Sequence, residues 1–275
     1  MTGSRAAAGR RAVVEFGLDD LRSDDVRFLE EAAKVGPLHV LVPTDRLLAV
    51  QTGAVPRFPQ AERLFLAESL RWITSAELVD VSLADDYSPL EPSDALVVRG
   101  EDEPLMREGA LADGWAVHVV EPEDRAGFPL YEPEPLPQGA RTAIVTGCFD
   151  WVHSGHIRFF MDAAEYGALY VVVGSDRNVR LLKGEGHPLQ TEAERQYMVS
   201  SMRPVYQCLV STGSGWMDAE PEIDRLEPTF YVVNEDGDKP EKREFCAAHG
   251  LEYTVLERVP HEGLPARSST DLRGF

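Results

Sequence analysis

The sequence predicts two tandem α/β domains, each a doubly wound, Rossmann-like parallel sheet, and three observations carry that expectation. Short, nearly continuous apolar runs alternate with amphipathic stretches, the pattern of strands covered by helices on both faces. The order of these segments in residues 1–121 returns in residues 141–275. A chain of 275 residues with 43% hydrophobic content is also long and apolar enough to fill two ordinary cores.

The repeat is visible without a gap when residue n is set against residue n+131. "RRAVVEFGLDDLRSDDVRFLEEAAKVGPLHVLVPTDR" then falls on "RTAIVTGCFDWVHSGHIRFFMDAAEYGALYVVVGSDR", pairing Asp19 with Asp150, Gly36 with Gly167, Asp45 with Asp176 and Arg46 with Arg177. One residue of drift later, "QAERLFLAESLR" falls on "EAERQYMVSSMR", and further on Gly114 falls on Gly250. Ordered similarity of this kind is the mark of a duplicated unit. Between the copies, residues 122–140 are rich in proline and acid and read as an extended linker.

In the second copy "AIVTG" reads as a buried strand, and Ile157, Phe160, Met161 and Ala164 recur at helical spacing. Gly167 is placed to end that helix, and "LYVVVG" is the next strand. "EAERQYMVSSMR" follows as a helix, "TFYVVN" as a strand, "KPEKREFCAAHG" as a helix and "EYTVLE" as a strand. In such sheets ligands sit beyond the carboxyl ends of the strands, which is where Thr146, Gly147, Cys148, Phe149 and Asp150 fall.

Composition narrows the partners. A net charge of −20 opposes a phosphate-tracking nucleic-acid groove and an anionic membrane surface, while leaving room for a small anion in a locally basic pocket. No apolar run approaches the length of a membrane span, and the first residues have no apolar signal core, so a cytoplasmic protein is expected. Cys148, Cys208 and Cys246 are odd in number and widely spaced, which fits reduced thiols.

The chemistry concentrates at "GCFDWVHSGH", residues 147–156. Ser154 is expected to cap the following helix, which places His153 and His156 beside unpaired N–H groups and the positive end of the helix dipole. Gly147 and Gly155 would let an anion approach the backbone closely. A zinc site built from Cys148, His153 and His156 is the competing reading, and it lacks a fourth ligand.

H-x-G-H at a strand-to-helix turn after G-x-F-D resembles the nucleotidylyltransferase superfamily, particularly its cytidylyltransferase-like branch. Three later segments match in register: "GSDRNVRLLKG" resembles the family's S-D stretch and K-G loop, "TEAERQYMVSSMR" its E-R helix, and "ARSSTDLR" its S-T-T segment. "ERQYMV" and "SSTDLRG" are similar to ethanolamine-phosphate and choline-phosphate cytidylyltransferases, including tandem-repeat forms. "GCFD" with "SDRNVRLLKG" is also similar to heptose-1-phosphate adenylyltransferases.

The resemblance implies the nucleotidyltransferase fold and transfer of a nucleoside monophosphate to a small phosphomonoester or phosphonate, with pyrophosphate released. CTP is the expected donor. ATP with a sugar phosphate is the alternative, and a nucleotide-binding regulatory module without turnover is the reading from another class. It further implies that His153, His156 and Lys183 are catalytic. Arg195, Arg203, Arg267, Ser268, Ser269 and Thr270 are expected to bind the nucleotide's phosphates, and Asn234 and Asp236 to lie near its base. Asp176 belongs to the same nucleotide-binding set. Magnesium is the expected cofactor, and Asp150 is expected either to take part in its binding through water or to orient an imidazole, two roles the sequence does not separate. "NEDGD" departs from the family's usual K-G or H-G pair after this strand, which puts base recognition in doubt.

The first copy has Arg22, Ser23, Asp24 and Asp25 where the second has His153 to His156, so it is expected to be a degenerate domain. Residues 1–139 carry a net −13 and residues 140–275 a net −7, and the more acidic half is the one without the motif. The two copies are expected to form an internal pseudo-dimer, with homo-oligomers as a further option.

Overall fold

The computed structural model describes residues 10–86, 90–102, 108–111 and 114–268. It divides into two compact units, residues 1–127 and 128–275. Among the described residues no helix is long and apolar enough to cross a membrane.

The first unit contains, in order, β1 (Ala12–Glu15), α1 (Ser23–Ala33), β2 (Leu38–Pro43), α2 (Asp45–Thr52), α3 (Gln60–Ser69), β3 (Ile73–Val79), β4 (Ala95–Arg99) and β5 (Ala116–Val120). Its strands pair in parallel in the order β3-β2-β1-β4-β5. The second unit contains β6 (Thr142–Gly147), α4 (Ser154–Ala164), β7 (Ala168–Val173), α5 (Asp176–Lys183), α6 (Glu192–Ser200), β8 (Val205–Val210), α7 (Glu220–Leu226), β9 (Phe230–Asn234), a 3₁₀ turn (Glu235–Gly237), α8 (Pro240–His249) and β10 (Glu252–Leu256). Its order, β8-β7-β6-β9-β10, is the same as that of the first unit. Both sheets are therefore doubly wound, with the first strand of each copy at the centre and the order reversing beside it. Residues 121–141 contain no helix or strand.

Central strands carry continuous buried apolar runs because both faces are covered. Ala143, Ile144 and Val145 of β6 and Val171, Val172 and Val173 of β7 are all buried. One face packs against Met217, Ala219, Ile223 and Cys246, and against the partly exposed Phe245 and Leu226. At about 25 cal/mol per Å² of apolar surface removed from water, such strands and their covering helices supply the main driving force for the fold.

The duplication extends to backbone detail. Leu18 and Phe149, equivalent non-glycine residues after β1 and β6, both adopt left-handed φ values of 54° and 48°. Bulky residues rarely sit there, so the surrounding contacts must hold the bend in place. Gly36 and Gly167 occur where each chain passes close to the residue before the central strand. A Cβ at Gly36 would lie 1.9 Å from the Arg10 carbonyl oxygen, and one at Gly167 would lie 2.4 Å from that of Arg141. Gly167→Ala is expected to destabilise the second unit by about 1–3 kcal/mol, because the backbone must shift to admit the methyl group. Denaturant unfolding of the variant beside the parent protein measures the loss.

"GSDRNVRLLKG", read in the sequence as a stretch leading to a loop, forms a helix along most of its length. Ser175 caps α5 by accepting from the Asn178 N–H at 3.3 Å, and Gly184 (φ 88°) ends it. This is the N-cap and C-terminal glycine arrangement expected of a short surface helix.

Candidate active site

The site grows from the turn between β6 and α4. His153, not Ser154, is the N-cap of α4: its φ and ψ are −138° and 172°, and its Nδ1 accepts the Gly155 N–H at 3.1 Å. An imidazole nitrogen thus replaces the usual hydroxyl at this position, and the neutral ring must carry its proton on Nε2. The His153 carbonyl accepts from His156 N at 2.9 Å and Ile157 N at 3.2 Å. The N–H groups of Gly155 and His156 are therefore already paired within the helix start, contrary to the expectation of unpaired donors; His153 is itself buried, and of the two imidazoles His156 is the one that lines the cavity described below.

His156 stacks on His153, with ring centroids 3.9 Å apart and planes 23° apart. Phe149 meets the His156 ring edge-on at 5.2 Å. Gly155 keeps the stack close, since a Cβ there would lie 3.0 Å from His153 Cε1 and 3.1 Å from the Arg267 carbonyl oxygen. His156 Nδ1 is buried without a hydrogen-bond partner. Its proton affinity is held well below the ordinary 6.5, first by burial and then by the facing His153 and Arg258, against a smaller opposing pull from the Trp151 backbone. The ring is therefore neutral at physiological pH, carrying one N–H and no charge.

A stability consequence follows. Unfolded His156 takes up a proton as pH falls below 6.5, whereas the folded ring resists it. The contribution is fully present above that value and is lost as pH falls through the lowered folded value. The unfolding midpoint of the second unit is expected to drop more steeply on the acid side than that of a His156→Phe variant.

His156 faces a cavity of about 310 Å³ at the carboxyl ends of β6 and β9. Of the residues singled out in the sequence, Thr146, Phe149, Gly155, His156, Asn234, Asp236 and Ser268 line it. Thr146 Oγ1 lies 2.8 Å from the Tyr231 hydroxyl, which fixes its orientation. Arg267 reaches the same edge through its carbonyl, which accepts from Arg258 Nη2 at 2.6 Å. Lys183, at the exposed end of α5, is near enough for its charge to act on both the Cys148 thiol and the His156 imidazole. Ser269 and Thr270 lie outside the described residues.

Other expected site residues have different surroundings. Arg195 is fully buried. Its guanidinium donates to the carbonyls of Gln190 (3.1 Å), Cys148 (2.9 Å) and Gly174 (2.7 Å) and to Asp176 Oδ1 (2.8 Å). Asp150 accepts the N–H groups of Leu189 and Gln190, each at 2.9 Å. These three residues pin the turn after β6 to the loop before α6. The first unit repeats the device: Arg63 donates to Phe58 O, Gly17 O and Asp45 Oδ1, and Asp19 accepts from Arg57 N and Phe58 N. Because the clamp occurs in the copy without histidines, it belongs to the scaffold. Arg203 lies in the turn entering β8, at the amino ends of the strands and so across the sheet from the cavity.

Asp150 is thus committed to backbone donors, and among the described residues no group of three His, Cys, Asp or Glu side chains is placed to hold a metal ion. Burial also pushes the Cys148 thiol up, away from the thiolate that zinc requires. The described residues thus form no metal cage of their own.

Three cavity residues had no signal in the sequence. Phe159 lines the wall from within α4, where it reads as core. Lys242, on α8, donates to the Gly237 carbonyl at 3.0 Å and is held below the ordinary lysine range, chiefly by burial. Arg258, beyond β10, pairs with Asp236 at 2.6 Å. Lys242 and Arg258 follow unremarkable surface patterns, and only the fold brings them to His156.

Residues 144–273 match the cytidylyltransferase-like family model. The chain is 41% identical over 66 residues to the bifunctional protein HldE of Hydrogenovibrio crunogenus, a match covering 24% of this chain and 14% of that protein. It is 31% identical over 139 residues to the protein of the same name from Campylobacter curvus, covering 50% of this chain and 28% of that one. The chain therefore spans about a seventh to a quarter of the length of these curated relatives. A solved lipopolysaccharide core biosynthesis protein from Thermoplasma volcanium aligns over 45% of this chain and all of its own, at 20% identity and a TM-score of 0.38.

Proposed function

We propose, from the match of residues 144–273 to the cytidylyltransferase-like family model, that the protein is a nucleotidyltransferase that joins a nucleoside monophosphate to a small phosphorylated acceptor. A phosphate oxygen of the acceptor attacks the α-phosphorus of the nucleoside triphosphate. A new P–O bond forms, the bond from the α-phosphorus to the bridging oxygen breaks, and pyrophosphate leaves with that electron pair. No protein nucleophile is needed, so the rate comes from alignment and from donors aimed at the developing charge.

One observation supports this reading above the others: His156, stacked on the buried His153 at the start of α4, lines a cavity at the switch point of a doubly wound sheet. A neutral His156 donates an N–H to the reacting phosphates without the cost of burying a charge. Lys183 adds a mobile point charge from the end of α5, and Arg258 lines the cavity. Ser268 extends the same lining. The nucleoside lies toward Asn234 and Asp236, whose positions at the end of β9 favour contact with the base. Magnesium, carried in on the triphosphate, would neutralise part of its charge.

CTP is the proposed donor, with a phosphomonoester or phosphonate acceptor. The matches to the HldE proteins favour a second reading, ATP with a sugar phosphate such as a heptose 1-phosphate. Purified protein incubated with either nucleotide and a pool of phosphomonoesters separates the two: pyrophosphate release with CTP and not ATP supports the first. Nucleotide binding without release under any combination would leave a regulatory module in place of an enzyme.

A further inference from the structure

The first unit has the same strand order as the second, yet the space at its helix start is filled by its own side chains. Phe16 stands where the second copy has Gly147, and Asp25 where it has His156. Strand register puts Arg99 at the position of Asn234, since Ala12 pairs with Ala95 as Ala143 pairs with Phe230. These three meet around Phe28, the counterpart of the cavity residue Phe159. The Arg99 guanidinium lies 5.0 Å from the centroid of Phe16 and 4.9 Å from that of Phe28. Its Nη2 is 2.6 Å from Asp25 Oδ1.

The carboxylates sit where an anion would sit. Asp25 Oδ2 accepts the Arg22 N–H at 2.8 Å, at the N-terminus of α1. Asp24, the next residue in that turn, pairs with Arg125, which also holds Glu101. Arg99 Nη1 lies 3.9 Å from Asp24. Arg99 Nε and Arg125 Nε are buried and have no hydrogen-bond partner, so both guanidinium groups retain donor capacity inside this cluster. Two arginines converging on two carboxylates at a helix start reproduce what a diphosphate receives from a cradle of this kind. Repulsion is therefore only part of the reason an anion is kept out: the seat is taken.

We propose that the first unit carries an intramolecular plug, in which Asp24 and Asp25 replace a ligand's phosphates at the start of α1 and Arg99 and Arg125 close on them over Phe16 and Phe28. The unit is held shut by its own chain and contributes no nucleotide site. The proposal draws on the reading of the second unit only for the correspondence of positions. It follows that neutralising the carboxylates converts the plug into an anion site served by the freed Arg99 and by Arg125, which keeps Glu101 on one of its nitrogens.

The test uses the full chain and inorganic pyrophosphate in titration calorimetry. D24N/D25N is expected to bind one equivalent per chain more than the parent protein, and R99A added to that variant is expected to abolish the gain. Equal stoichiometry for the parent and D24N/D25N overturns the plug, as does a gain that survives R99A. Should D24N/D25N unfold in buffer, pyrophosphate is expected to restore its circular dichroism, and failure to restore it overturns the plug equally. If the second unit were not a phosphate site, the parent protein would bind no pyrophosphate while the gain in D24N/D25N remained, so the two readings fail separately.

Discussion

His156→Ala is expected to lower turnover by about two to three orders of magnitude, the effect of removing one preorganised donor from a developing oxyanion. The fold should survive, because the ring borders a cavity and its Nδ1 supports no other group. If the donor acts on the transition state, kcat and kcat/KM should fall together, with KM nearly unchanged. A rise in KM alone would make His156 a ground-state binding residue. The matching change in the first copy, Asp25→Ala, should leave turnover unaltered. Steady-state pyrophosphate release by the two variants checks both statements.

Arg195→Ala has the largest expected effect on stability. The guanidinium is fully buried, donates to three carbonyls and pairs with Asp176. Its removal leaves those carbonyls without their donor and a carboxylate without its partner, which typically costs about 3–5 kcal/mol. The loss should appear as a fall on the order of 10 °C in the melting temperature of the second unit. Arg63→Ala should do the same to the first unit. Thermal unfolding by circular dichroism reads both. A variant Arg195→Ala that melted with the parent protein but lost turnover would return the guanidinium to the ligand.

The scaffold was legible because its causes are local and repeated. Apolar strand runs, the helical spacing of Ile157, Phe160 and Ala164, and the glycines at the close crossings are all consequences of packing on a parallel sheet. Part of the candidate site is legible for the same reason. His153, Gly155 and His156 are adjacent in the chain, so one turn of helix sets their geometry. The remainder depends on tertiary placement. Lys242 and Arg258 belong to α8 and to the segment after β10, more than eighty residues from His156. Arg195 illustrates the converse difficulty: an arginine in a family-like helix reads as cation density for phosphate, and only its burial and its twin at Arg63 show the clamp. The sequence points to Ser154 as the cap of α4 because a serine hydroxyl is the common solution, whereas the conformation of His153 lets an imidazole nitrogen fill that role.

The shared left-handed bend at Leu18 and Phe149 gives the molecule an unusual experimental property. Both halves turn at the same residue and tie that turn down with the same arginine, so each contains a faithful twin of the other's framework. A substitution made at one position can be repeated at its twin in the same polypeptide, under identical solvent and temperature. Whatever changes in both places reports on the architecture, and whatever changes in one alone reports on the chemistry.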